Sequence, residues 1–160
     1  MKNVLSIILL TFVPYCIYAQ LTGKVVRILD GDTFVLLTQD TMQVKVRLYG
    51  VDAPEKAQPF GQKAKQFTSD MIFGKQVKVE EKGKDRYGRM IGMTYVNRKC
   101  LNEELLRAGL AWHYVRYDTN NPKWTKLQKD AEFSRKGLWS EDYVVAPWEW
   151  RMAKRRFKVR

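Results

Sequence analysis

From Gln43 to Leu48 the chain alternates strictly, with Val44, Val46 and Leu48 on one side and Lys45 and Arg47 on the other. A period of two marks a strand with one face on a core. Strand-like segments at Leu21 to Leu29 and Thr33 to Thr38 precede it, separated by the turn at Asp30-Gly31-Asp32. Three strands on short turns make a meander. The period then changes: from about Pro59 to Phe73, residues Ala64, Phe67, Met71 and Ile72 mark one helical face. Pro59 suits the first turn of that helix and Gly74 its end. Two further strands, Gln76 to Glu81 and Met90 to Val96, flank a charged turn carrying Asp85 to Arg89.

A short helix over Leu101 to Ala108 ends at Gly109. A last one from about Pro122 to Lys136 turns Leu127, Ala131 and Phe133 inward and stops at Gly137. Three strands, a helix, two strands and then helices is the order of a five-stranded Greek-key barrel of the OB type. The class is mainly β with α (α+β), with about three helices. Residues 140–160, with Pro147-Trp148-Glu149-Trp150 and the basic Lys154-Arg155-Arg156, read as a peripheral tail on this single domain.

The first 19 residues stand apart from this pattern. Lys2 is the one charge before an apolar run from Val4 to Val13, and Ile17-Tyr18-Ala19 ends in a small residue. That is the layout of a signal peptide cut after Ala19, and the run is shorter than the ~20 residues a membrane span needs. The expected protein is therefore secreted or periplasmic, with no stable membrane association after cleavage.

The formal net charge of +12 favours a polyanionic partner. After the cut Cys100 is the only cysteine, so no internal disulfide supports the fold. Cys100 reads as a small buried hydrophobe rather than a nucleophile. His113 is the sole histidine. That excludes paired-histidine acid/base chemistry and any zinc site built from several His or Cys ligands. Carboxylates and arginines are left to do the chemistry.

Taken singly, the candidates are ordinary. Asp30-Gly31-Asp32 suits a hairpin turn, and Asp52-Ala53-Pro54-Glu55 suits a proline-containing loop. Arg47 and Arg89 read as surface charges. Together they differ, because each acidic turn follows a strand and the meander can bring both strand ends to one rim. There Asp32 and Asp52 can share a hard cation with water completing its shell. Guanidinium forks can grip a phosphate better than ammonium groups can.

In this order, Asp30-Gly31-Asp32-Thr33, Val46-Arg47-Leu48, Val51-Asp52-Ala53-Pro54-Glu55 and Asp85-Arg86-Tyr87-Gly88-Arg89 resemble the staphylococcal nuclease-like (thermonuclease) family. Leu101-Asn102-Glu103, Gly109-Leu110-Ala111 and Gly137-Leu138-Trp139 continue the likeness. It runs from Thr22 to about Trp139.

The resemblance implies an OB-fold, Ca²⁺-dependent phosphodiesterase acting on DNA and RNA as a monomer and leaving 3′-phosphates. Asp32 and Asp52 would be its metal ligands, with the Ala53 backbone carbonyl as a third and Asp30 supporting the metal site. Glu55 would orient or deprotonate the attacking water, and Arg47 and Arg89 would grip the scissile phosphate. Arg86 and Tyr87 would contact a terminal phosphate, and Tyr114 would line the nucleotide site.

Three departures from the family pattern stand out. The loop after Glu55 is short, Arg116 stands in place of a tyrosine, and Arg86 in place of a lysine. The alternative reading is a non-catalytic OB module that binds single strands through a basic groove and aromatic platforms. The full set of carboxylates and arginines favours the enzyme.

Overall fold

The meander forms as the alternation predicts. In the computed structural model, which describes residues 20–118 and 121–158, β1 (Gln20–Asp30), β2 (Thr33–Thr38) and β3 (Gln43–Leu48) pair antiparallel in chain order. The expected signal segment, residues 1–19, lies outside the described residues. Val46 and Leu48 are buried on the core side of β3, while Lys45 and Arg47 take the other face. Two register shifts, between Val25 and Arg27 and between Ile28 and Asp30, bulge β1 and coil it.

β4 (Val51–Asp52) and α1 (Gly61–Ile72) follow, and then β5 (Gln76–Lys84) returns antiparallel to β1. β6 (Met90–Val96) pairs antiparallel with β5 and then lies parallel to β3, from Val46↔Met90 to Leu48↔Gly92. That last pairing closes a five-stranded barrel and removes the open sheet edge. Gly92 sits at the closure, where an added Cβ would meet a Val79 methyl at 2.5 Å.

Val25, Phe34, Leu36, Val46 and Val79 fill the barrel. β7 (Lys99–Cys100) leads into α2 (Leu101–Arg107), whose Leu101, Leu105 and Leu106 are fully buried in the same core. Cys100 is a half-buried free thiol at the start of α2, and burial pushes its pKa up, as suits an unreactive position. β8 (Trp112–His113) pairs antiparallel with β4.

α3 (Pro122–Phe133) begins under an Asn121 cap that accepts the Trp124 N–H at 3.1 Å. It ends three residues before the expected Lys136, where Arg135 and Gly137 both take positive φ. Phe133, expected inward with Leu127 and Ala131, is 93% exposed. At 3.6 residues per turn it lies about 180° around the helix from Trp124, which is buried.

The largest difference concerns the expected peripheral tail. A 3₁₀ turn at Gly137–Ser140 is followed by a fourth helix, α4 (Pro147–Lys158). It is anchored: Trp148 meets the Trp112 ring edge-on at 6.4 Å and the Tyr114 ring at 5.2 Å. The Gln58 amide donates to the Val145 carbonyl just before it. The stretch from Ala146 to Trp150 thus packs on the body through contacts between segments far apart in sequence, while residues 140–145 stay exposed.

Asn102 ties α2 to the barrel. It is fully buried; its Nδ2 donates to the Tyr49 carbonyl at 2.8 Å and its Oδ1 accepts the Thr94 N–H at 3.1 Å. Asn102→Ala strands both backbone groups, at about 1–3 kcal/mol each. Urea unfolding of this variant is expected to show a loss of about 2–6 kcal/mol. A loss under about 1 kcal/mol would mean that water replaces the amide without penalty.

Candidate active site

Short turns bring the acidic residues to one rim of the barrel. Asp32 lies in the β1–β2 turn, and its carbonyl accepts the Leu48 N–H at 2.9 Å, which ties the turn to the end of β3. The chain reverses at Gly50, in left-handed conformation at φ +63°, and runs into β4, which ends at Asp52. The Ala53 N–H then donates to Asp32 Oδ2 at 2.7 Å, and the Thr33 hydroxyl donates to Asp32 Oδ1 at 3.0 Å. Both carboxylates are sunk in the protein, Asp32 5% and Asp52 1% exposed. Burial at that depth demands compensating cations or donors.

Helix α1 backs the turn. An added Cβ at Gly31 would stand 2.7 Å from the Ala64 methyl and 2.8 Å from the Ala53 methyl. The buried Thr68 hydroxyl donates to the Gly31 carbonyl at 2.5 Å. Gly31 thus serves close packing of helix on turn. Asp30, at the end of β1, is half-buried opposite Thr33. Among the described residues no hydrogen bond or ion pair joins it to Asp32 or Asp52.

Arg47 supplies the nearest counter-charge. Thr33 is its partner across the β2–β3 ladder, so its side chain rises beside the Asp32 turn. Its guanidinium bridges the two aspartates: Nη1 pairs with Asp32 and Nη2 with Asp52 Oδ1 at 2.6 Å. Burial lowers its pKa and the Asp52 charge opposes that, while the nearby Arg89 and Arg151 cations lower it further. A guanidinium starts so high that Arg47 stays charged.

The barrel closure delivers Arg89. It precedes Met90, the partner of Val46, and so stands two positions before Ile91, the partner of Arg47. Asp85 holds it through Nε–Oδ2 at 2.6 Å and accepts the Tyr87 and Arg89 backbone N–H groups as well. Burial alone would raise the Asp85 pKa, but these hydrogen bonds and the Arg89 charge outweigh it and the net shift is downward. Beside it, Arg86 lies over the exposed Tyr87 ring at 4.9 Å and donates to its hydroxyl at 2.8 Å. The two occupy the outer side of the same turn.

Glu55 sits where the loop meets α1. Its N–H donates to Gln58 Oε1 at 3.1 Å, and its carbonyl accepts the Gln58 N–H at 2.8 Å. A Cβ at Gly61 would run into that carbonyl. Buried Gln58 therefore fixes the loop from both sides, a role with no local signal in the sequence. The Glu55 carboxylate faces Arg151 of α4, with Nη1 to Oε1 at 2.8 Å. The same guanidinium grips Asp52 through Nη1–Oδ1 at 3.2 Å and Nη2–Oδ2 at 2.7 Å. Arg151 was not among the residues expected from the sequence.

Burial would lower the Arg151 pKa, but its bonds to Asp52 and Glu55 outweigh that and raise it. Tyr114 lies partly buried nearby, its ring 5.1 Å from that of Tyr117 and 5.2 Å from that of Trp148. Arg116 is exposed in the adjoining turn. His113 is buried against Trp124 and its Nδ1 bonds the Thr125 hydroxyl at 3.1 Å, a structural role.

The structure thus gathers Asp32, Asp52, Ala53, Glu55, Arg47 and Arg89 round one rim, with Arg86, Tyr87 and Tyr114 on its flanks. Asp32 and Asp52 come close enough to share one guanidinium, so one small cation could contact both. The donors are all oxygen, which suits a hard divalent ion. Among the described residues no group of three His, Cys, Asp or Glu side chains surrounds a single point. A cation here would therefore rest on the two aspartates and nearby backbone, with water filling its shell.

Known proteins are similar to this chain in sequence. The chain is 38% identical over 145 residues to a protein of Haemophilus influenzae named an uncharacterized endonuclease, covering 91% of this chain and 81% of that one. It is 38% identical over 159 residues to a micrococcal nuclease of Shigella flexneri, covering 92% and 89%. The Escherichia coli protein ParB is 41% identical over 144 residues, covering 84% and 81%. The family described as staphylococcal nuclease homologue matches residues 45–141, which include Arg47, Asp52, Glu55 and Arg89. With the barrel and its acidic rim, these matches show that the chain belongs to the staphylococcal nuclease family.

Proposed function

We propose that the protein is a Ca²⁺-dependent nuclease that hydrolyses phosphodiester bonds of DNA and RNA. One observation carries this reading: two buried aspartates, an accessible glutamate and a cluster of arginines converge at one rim of a basic OB barrel. Nuclease-named relatives over most of the chain support it.

Asp32, Asp52 and the Ala53 carbonyl would hold the cation, which supplies Lewis-acid polarisation of a phosphoryl oxygen when bound. The chain's own residues do the rest. Arg47 and Arg89 bind the non-bridging phosphate oxygens, whose charge grows as water adds to phosphorus. Glu55, anchored through its backbone by Gln58, accepts the proton of the attacking water. The 5′-oxygen leaves in line, so products carry 3′-phosphates. Arg86 and Tyr87 would contact a terminal phosphate, and Tyr114 would line the nucleotide site. Lys2, the apolar run from Val4 to Val13 and the small residue Ala19 support action outside the cytoplasm, as a secreted or periplasmic enzyme.

Cleavage of single-stranded DNA by the purified protein tests the assignment. Ca²⁺ is expected to activate it and excess chelator to abolish it. Mg²⁺ should serve poorly, since a shell of two carboxylates plus adjustable water suits the looser geometry of Ca²⁺. Full activity in excess chelator would overturn the metal role, and Ca²⁺-dependent binding without cleavage would favour the single-strand binding module instead.

A further inference from the structure

The third guanidinium at the rim comes from Arg151 on α4, beyond the span 45–141 of the family match. We propose that Arg151 is a third phosphate-binding arginine, which alternates between the Asp52 and Glu55 carboxylates and the scissile phosphate of the substrate. The inference rests on the nuclease reading and extends its site.

Three observations carry it. Arg47 and Arg151 together place N–H donors on both oxygens of Asp52. A divalent cation on that carboxylate would face two guanidinium charges at close range, so Arg151 and the cation compete for Asp52. Arg151 also has somewhere to go. Its side chain is 37% exposed, while the helix that carries it is held independently by Trp148 on Trp112 and Tyr114 and by Gln58 on Val145. The side chain can therefore swing without moving α4.

The destination follows from charge. Arg89 and Arg151 both lie near enough to Arg47 for their charges to act on it. Three converging guanidinium groups repel one another unless an anion lies between them. With a cation on Asp52, the anion that all three can share is a phosphate, whose oxygens accept forked donors as carboxylates do.

Glu55 gains from the exchange. With Arg151 on its carboxylate, one of its oxygens is engaged by a cation. Transfer of Arg151 to the phosphate frees that oxygen to accept the proton of water. Arg151 thus couples occupation of the metal site to exposure of the base and to capture of the substrate.

The test uses the full chain as wild type, Arg151→Ala and Arg151→Lys, with near-ultraviolet circular dichroism to check that α4 keeps its tryptophan packing. Ca²⁺ binding is measured by calorimetry with no nucleic acid present. Single-turnover cleavage of a short single-stranded DNA is measured at saturating Ca²⁺. Arg151→Ala is expected to bind Ca²⁺ several-fold more tightly and yet cleave at least about tenfold more slowly, as loss of a charge-assisted fork on the transition state predicts. Arg151→Lys should fall between the two in both measurements.

Unchanged Ca²⁺ affinity in Arg151→Ala would overturn the competition. Unchanged or faster cleavage at saturating Ca²⁺ would make Arg151 an inhibitory latch and overturn its phosphate role. If Arg151→Ala loses its tryptophan signal, Arg151→Lys decides by the same two measurements. Wild type that neither binds Ca²⁺ nor cleaves DNA would fail the nuclease reading itself. Wild type that does both leaves the variants to speak for Arg151 alone.

Discussion

Glu55→Gln is expected to slow single-turnover cleavage by at least ~10²-fold, the usual loss when a general base is removed. The amide nearly matches the carboxylate in size and still accepts a hydrogen bond from Arg151, but it takes up no proton at neutral pH. The loop around it should not move. It is held through the Glu55 backbone, with the N–H on Gln58 Oε1 and the carbonyl under the Gln58 N–H, and neither bond involves the carboxylate. Thermal unfolding beside cleavage separates the two roles. A lowered melting temperature with a modest kinetic change would make Glu55 a structural loop residue, and wild-type cleavage would remove it from the mechanism.

The parts of this site that are close in sequence were legible there. Asp32, Arg47, Asp52 and Glu55 fall on a meander whose turns are short, so the alternation along Gln43–Leu48 fixes which side Arg47 takes. The ordered motifs did the rest. What periodicity does not encode is contact across long separations. The closure of β3 on β6 depends on parallel pairing between segments that are each plausible strands anyway, and it alone sets Arg89 beside Arg47.

Arg151 meets Asp52 across 99 residues of chain, and the helix that carries it reads as a charged tail. Its docking depends on Trp148 finding Trp112 and Tyr114, which no local pattern announces. Phe133 shows the opposite failure. Its hydrophobicity suggested burial, whereas its angular position on α3 points it away from the face of Trp124, Leu127 and Ala131.

Arg47→Ala should produce the second large effect, in two separable measurements. At saturating Ca²⁺, cleavage is expected to fall by about 10²–10³, the range for losing one donor to the developing charge of a transition state. Without Ca²⁺ the same variant should also unfold more easily, because Arg47 bridges two buried carboxylates. Removing one partner of a buried pair costs about 3–5 kcal/mol. Arg151 remains on Asp52 and should hold the loss near the lower figure.

Ca²⁺ at about 100 times its dissociation constant would return about 2.7 kcal/mol, so stability should recover with metal while cleavage does not. Arg47→Lys keeps the charge and loses the fork, and is expected to regain most of the stability and little of the rate. Arg89→Lys should match it in rate but leave stability nearly intact, since the Arg89 and Asp85 side chains are partly open to solvent. Both lysine variants cleaving at near-wild-type rates would show that charge without the planar fork suffices, and the phosphate clamp would have to be sought in other residues.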